Sequence, residues 1–136
     1  GRGQFHAIDY TPPAELTDVE YPLYLTTGRV LYQYHTGTMT MKTAGLNERV
    51  AECCVELSPK DAALYDLTDG AEVEIASRRG KITAKIQRSP KAVTGTVFIP
   101  FHYAQAAANR LTNAALDPVS QIPEYKVCAV KLSHAA

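Results

Sequence analysis

EVEIASRRGKITAKI, residues 72–86, decides the fold class. Val73 and Ile75, then Ile82, Ala84 and Ile86, recur at every second position with polar residues between them, the period of a strand with one buried face. The two runs flank Ser77-Arg78-Arg79-Gly80, a short loop ending in glycine, and so read as an antiparallel β-hairpin. The five aliphatic residues are expected in the core. Arg78 and Arg79, at the hairpin tip, are expected in water.

Working upstream, CCVEL at 53–57 reads as a strand, and Ser58-Pro59-Lys60-Asp61 supplies an N-cap, a proline at the first helical position and an acid in the first turn. A short helix over 59–66 follows from that. YPLYLTT at 21–27 is aromatic, aliphatic and β-branched and runs into Gly28, as a strand runs into a loop. Residues 28–43 crowd Gly, Thr, Tyr, His and Arg together without a usable period and read as an irregular loop built to contact something. Downstream, GTVFIP at 95–100 is a strand, the alanine-rich stretch 104–108 predicts a short helix, and VCAVKL at 127–132 closes the chain as a last strand. About six strands with short helices make a mixed, β-rich class, best satisfied by a barrel with helical decorations.

A length of 136 residues fits one core, and a composition 46% hydrophobic and 21% charged is that of a folded chain. Fourteen basic residues balance fourteen acidic ones, so no global field draws the protein to nucleic acid or to an anionic membrane. No run approaches the roughly 20 apolar residues of a membrane helix, and a cytoplasmic location is expected. Cys53, Cys54 and Cys128 are odd in number, with two adjacent, which argues against a disulfide scaffold and for small buried hydrophobes. His6, His35, His102 and His134 are too far apart for the usual short metal-ligand spacings, and three cysteines fall short of the four that hold an iron-sulfur cluster. Residues 1–20 mix Gly, Pro and acids without apolar period and begin at a glycine. They read as a linker from an upstream domain of a longer polypeptide, with the folded domain at 21–136.

Several stretches, taken in order, carry a resemblance: LTTGR at 25–29, YHTGTMT at 34–40, SRRG at 77–80, PFH at 100–102, NRLTN at 109–113, LDP at 116–118 and IPEYK at 122–126. Together they resemble the C-terminal molybdopterin-dinucleotide-binding domain of the molybdopterin oxidoreductases, nearest to the formate dehydrogenase catalytic (alpha) subunit. The resemblance implies a double-psi β-barrel with short helices that caps a bis(molybdopterin guanine dinucleotide) carrying molybdenum or tungsten. It also implies that the metal ligand, the catalytic histidine and an iron-sulfur cluster lie in upstream domains, since none of those motifs occurs here. No catalytic residue and no metal ligand is therefore expected in this chain, and by itself it is expected to be inactive. The implied partners are the upstream domains of the parent subunit and electron-transfer subunits.

On that resemblance the cofactor-binding residues are Thr27, Gly28, Arg29, His35, Thr36, Thr38, Asn109, Tyr125 and Lys126. A pterin dinucleotide carries a pyrophosphate and fused rings edged with donors and acceptors, so it suits unhindered backbone at Gly28, the guanidinium fork of Arg29 and the amide of Asn109. Each residue has an ordinary alternative as well. Arg29 reads equally as a solvated arginine on a turn, the His35 to Thr38 cluster as a turn satisfying its own backbone, Asn109 as a helix C-cap, and Tyr125-Lys126 as a surface pair. His102 and Tyr103 face either the cofactor or an interdomain contact. A separately encoded small subunit of a related enzyme, such as a nitrate reductase or formylmethanofuran dehydrogenase, is the alternative. A self-contained enzyme has neither GxSxG nor HExxH to support it.

Overall fold

In the computed structural model, which describes residues 1–49 and 52–135, the alternating runs become a closed sheet. Its strands are β1 (Leu23–Gly28), β2 (Cys54–Leu57), β3 (Glu72–Ala76), β4 (Lys81–Arg88), β5 (Thr96–Pro100) and β6 (Cys128–His134). They join in the order β1-β5-β2-β4-β3-β6, and β6 returns to β1. Two pairs, β1 with β5 and β2 with β4, are parallel, and the rest are antiparallel. Each parallel pair joins strands far apart in sequence, so the connections cross over the barrel ends, and the fold is a double-psi β-barrel.

The hairpin sits in the register its alternation requires, with Val73 opposite Ala84 and Ile75 opposite Ile82. All five of its aliphatic residues are buried. From the other strands, Leu25, Val55, Leu57, Val97, Ile99 and Val130 fill the same interior. β1 alternates strictly, with Leu23, Leu25 and Thr27 inward. That alternation brings one hydroxyl, that of Thr27, to the buried face at the end of the strand.

The first short helix, α1 (Ala44–Asn47), follows a 3-10 turn at Thr40–Lys42 inside the segment read as irregular loop. The second, α2 (Pro59–Leu64), begins as expected: the Ser58 hydroxyl accepts from Asp61 N at 3.1 Å and Pro59 opens the first turn. The Asp61 carboxylate, buried, accepts from Ser58 Oγ at 2.7 Å and from Gly95 N at 2.8 Å, tying the helix start to the chain entering β5.

One expectation is corrected. The alanine-rich stretch 104–108 forms turns, with only a 3-10 turn at Ala108–Arg110. Ala106, Ala108 and Leu111 are all buried. That spacing does not lie on one helix face, so core packing overrides alanine's helix propensity. Arg78 and Arg79 are exposed, as expected, but each is also paired. The Arg79 guanidinium grips both carboxylate oxygens of Glu15 at 2.7 Å and donates to Leu111 O at 2.7 and 3.1 Å. Arg78 pairs with Glu15 and Asp18 and lies 4.5 Å over the Tyr21 ring. Both acids belong to the stretch read as a linker, which has no strand or helix of its own.

Candidate functional site

Adjacent parallel strands deliver their following loops to the same end of a sheet. β1 and β5 end side by side, with Gly28 opposite Pro100. Arg29 and Phe101 are the first residues beyond them, joined by Phe101 N donating to Gly28 O at 3.2 Å. Around this end a cleft of about 770 Å³ opens, walled by Arg29, His35 and Thr36 on one side, by the 3-10 turn with Asn109, Thr112 and Asn113 on another, and by Pro123, Tyr125 and Lys126 on a third. Phe101 lies between them. Two cations and no carboxylate line the cleft, in a chain of zero net charge.

Each wall is braced from behind. The Lys126 ammonium donates to Thr27 O at 2.8 Å and lies 5.9 Å from the Phe101 ring and 5.7 Å from the Tyr125 ring. One of its three N–H groups is thus used, and the charge rests against aromatic faces. The Arg29 guanidinium is 3.4 Å from His35 Nδ1. His35 adopts φ 50, a left-handed conformation that costs a non-glycine residue of order 1 kcal/mol or more. The loop holds it there: Gly37 N donates to Tyr34 O at 2.9 Å, and Thr40 Oγ1 accepts from Tyr34 N while donating to buried Gln33 at 2.6 Å. Gly37 has φ 73, and a Cβ there would lie 2.8 Å from Met41 Cγ, so the turn has no room for another residue.

The two asparagines of the second wall differ in what they have free. Asn113 is fully engaged: Nδ2 donates to Val127 O at 2.9 Å and to Glu124 at 3.2 Å, while Oδ1 accepts from Ala115 N at 2.9 Å. Asn109 is exposed, and its amide makes no hydrogen bond among the described residues. Its φ is not positive, and it sits inside the 3-10 turn, so it is not the left-handed helix cap that the sequence allowed.

Of the nine residues named from the sequence, six line the cleft together: Arg29, His35, Thr36, Asn109, Tyr125 and Lys126. Thr27 stands behind it, its buried hydroxyl donating to Tyr125 O at 2.9 Å. Gly28 sits at the strand end, packed so closely that a Cβ would come within 2.5 Å of the Phe98 ring. Thr38 is exposed and does not line the cleft. Sequence reasoning passed over Phe101, Thr112, Asn113 and Pro123, although all four lie within the stretches that carried the resemblance.

His102, next to Phe101, is buried with Nε2 unpartnered among the described residues, its ring 3.8 Å from that of Tyr103. Burial holds its pKa below the ordinary imidazole value. It does not line the cleft. Cys53 and Cys54 are half-buried and Cys128 is buried, all as free thiols.

The family described as "Molydopterin dinucleotide binding domain" matches residues 23–129, a span that holds every residue lining the cleft. The chain is 46% identical over 132 residues to the F420-dependent formate dehydrogenase 1 subunit alpha of Methanococcus maripaludis, covering 97% of this chain and 20% of that protein. It is 45% identical over 121 residues to the assimilatory nitrate reductase catalytic subunit of Bacillus subtilis, covering 88% of this chain and 17% of that protein. Among solved structures, acetylene hydratase from Pelobacter acetylenicus superposes with a TM-score of 0.74 at 17% identity, over 85% of this chain and 19% of that one. The chain thus spans about a fifth of the length of these proteins.

Proposed function

Because the chain belongs to the molydopterin dinucleotide-binding domain family, we propose that it caps a bis(molybdopterin guanine dinucleotide) carrying molybdenum or tungsten, as the C-terminal domain of a formate dehydrogenase catalytic subunit. The observation that carries this reading is the cleft, where two cations and unengaged polar groups gather in an otherwise neutral chain. Its donor set fits the chemistry of the group. Arg29 offers a fork to phosphate or to a ring carbonyl, and Lys126 has two N–H groups left for an anion. Asn109 offers both a donor and an acceptor to a pterin edge, which Asn113, already saturated, cannot do. Thr36 and His35 add short polar contacts from a loop held by its own hydrogen bonds. Phe101 and Tyr125 exclude water from beneath the ligand.

When bound, the dinucleotide and its metal supply the two-electron redox chemistry. This chain's residues orient it, screen it from water and hydrogen-bond its polar edge. In this reading the metal ligand, the catalytic histidine and the iron-sulfur cluster belong to upstream domains, electrons leave through other subunits, and the assembly works in the cytoplasm. Identity at 45% to a nitrate reductase supports nitrate reduction as the second reading. Formate-dependent against nitrate-dependent turnover of a viologen dye by the full-length enzyme separates the two.

Asn109→Leu tests the cleft itself. In the full-length enzyme it deprives a buried polar edge of its partner, at about 1–3 kcal/mol, and cofactor content falls by roughly tenfold or more. In the isolated chain the melting temperature stays close to that of the parent sequence. A drop in melting temperature with full cofactor content and activity would overturn the assignment.

A further inference from the structure

Two consecutive residues of the segment that enters the barrel reach two of the three walls of the cleft. The Glu15 carboxylate holds the Arg79 guanidinium at 2.7 Å through both oxygens, and that same guanidinium holds Leu111 O at 2.7 and 3.1 Å. Leu111 ends the 3-10 turn that presents Asn109. The preceding amide, Ala14 N, donates to Glu124 Oε2 at 3.0 Å, and that oxygen also accepts from Asn113 Nδ2 at 3.2 Å. Glu124 precedes Tyr125 and Lys126, which form the third wall. A third contact pins the segment to the barrel, with Ala129 N of β6 donating to Glu15 Oε2 at 3.1 Å.

We infer that Glu15 is a positioning residue, and that Ala14-Glu15 sets the separation of the Asn109 and Tyr125-Lys126 walls through Arg79 and Glu124. The Arg79 fork is what makes the transmission possible, since one planar group satisfies a carboxylate and a backbone carbonyl at once. The Glu15 side chain is only 11% exposed, so its charge is poorly screened and its loss leaves Arg79 without a counterion. Whatever shifts the entering segment along the barrel shifts Asn109 against Lys126. The functional meaning rests on reading the cleft as the dinucleotide site, whereas the coupling concerns this chain alone.

The test therefore uses the chain by itself, with amide hydrogen exchange and the side-chain amide resonances of Asn109 and Asn113 as readouts. Arg110 N and Leu111 N report one wall through their bonds to Ala107 O and Ala108 O, and Glu124 N reports the other through its bond to Ala115 O. Glu15→Gln is expected to speed exchange at Arg110 and Leu111 by about tenfold, the loss of one charge-assisted hydrogen bond, and to move both asparagine resonances. Exchange at Val97 in β5 stays unchanged. Arg79→Lys, which keeps the charge and loses the fork, should speed exchange at Arg110 and Leu111 only. Glu124→Gln should act on Glu124 N and the Asn113 resonance only. Exchange at Arg110 and Leu111 unchanged in Glu15→Gln, or a uniform rise across the barrel including Val97, overturns the inference. Neither readout involves the cofactor, so a failed cofactor assay of Asn109→Leu and a failed coupling here remain separate results.

Discussion

Lys126 donates its ammonium to the carbonyl of Thr27 at 2.8 Å, across 99 residues of sequence. The Thr27 hydroxyl returns a bond to the carbonyl of Tyr125 at 2.9 Å. This reciprocal pair clasps the end of β1 to the cleft wall and explains why a hydroxyl stands on the buried face of the strand. Thr27→Val keeps the shape and removes the donor. The Tyr125 carbonyl is then left without it, and stability should fall by about 1–2 kcal/mol, read as a lower urea midpoint with an unchanged slope.

Gly28→Ala meets the Phe98 ring, whose Cε2 and Cζ lie 2.5 and 2.9 Å from where the new methyl would be. Overpacking of this kind costs about 1–3 kcal/mol. Adding Phe98→Leu to the same chain should recover most of the loss. Failure of the double variant to recover would place the cost in the backbone at the end of β1 instead of in the ring.

Acid should weaken the fold in two windows. Burial lowers the pKa of His102 beneath its ordinary value of 6.5, so the unfolded chain takes up that proton first. Stability is full above 6.5 and declines as the pH falls toward the lowered value. At Glu15 burial alone would raise the carboxyl, but hydrogen bonds from Arg79, Ala129 N and Arg78 outweigh it and hold the pKa below 4.5. Its contribution is present above 4.5 and is lost as the pH falls through the lowered value. Denaturant midpoints measured between pH 7 and 5 should fall in the native chain and stay flatter in His102→Phe. That variant also removes a buried nitrogen with no partner among the described residues and should cost little at pH 8.

The thiols should be slow to alkylate. Burial, then the neighbouring Cys54, pushes Cys53 up to about 12, and burial pushes Cys128 up to about 11. At pH 8 about one Cys53 thiol in 10⁴ is thiolate, against roughly a quarter for a free cysteine. Iodoacetamide should modify Cys54 first and the other two only with unfolding, as peptide mass mapping over time would record. Early modification of Cys128 would contradict its burial.

Much of the barrel was legible because one-sided burial imposes a period of two, and the hairpin at 72–86 obeys it without exception. The α2 start was legible because Ser58, Pro59 and Asp61 are local chemistry. The alanine stretch misled because its propensity is local while the burial of Ala106 and Ala108 is set by the barrel end they cover. The exposure of Arg78 and Arg79 was legible, but their pairing was not, since Glu15 lies more than 60 residues away and nothing near the hairpin tip announces it. For the cleft, Arg29, His35 and Asn109 were marked by residue type and order. That Asn113 is committed to scaffolding and Asn109 is free could not be read from two identical side chains four positions apart.

Closure of the barrel also bears on how the chain can be made. β6, the last strand, is the neighbour of both β1 and β3, so two rows of backbone donors and acceptors stay unpaired until residues 128–134 arrive. On a ribosome, which delivers β1 and β3 before β6, those edges remain open to other strands until residues 128–134 emerge. Ribosome-bound chains stopped before residue 128 should be protease-sensitive and prone to associate, and release of the final strand should convert them into a barrel without edges.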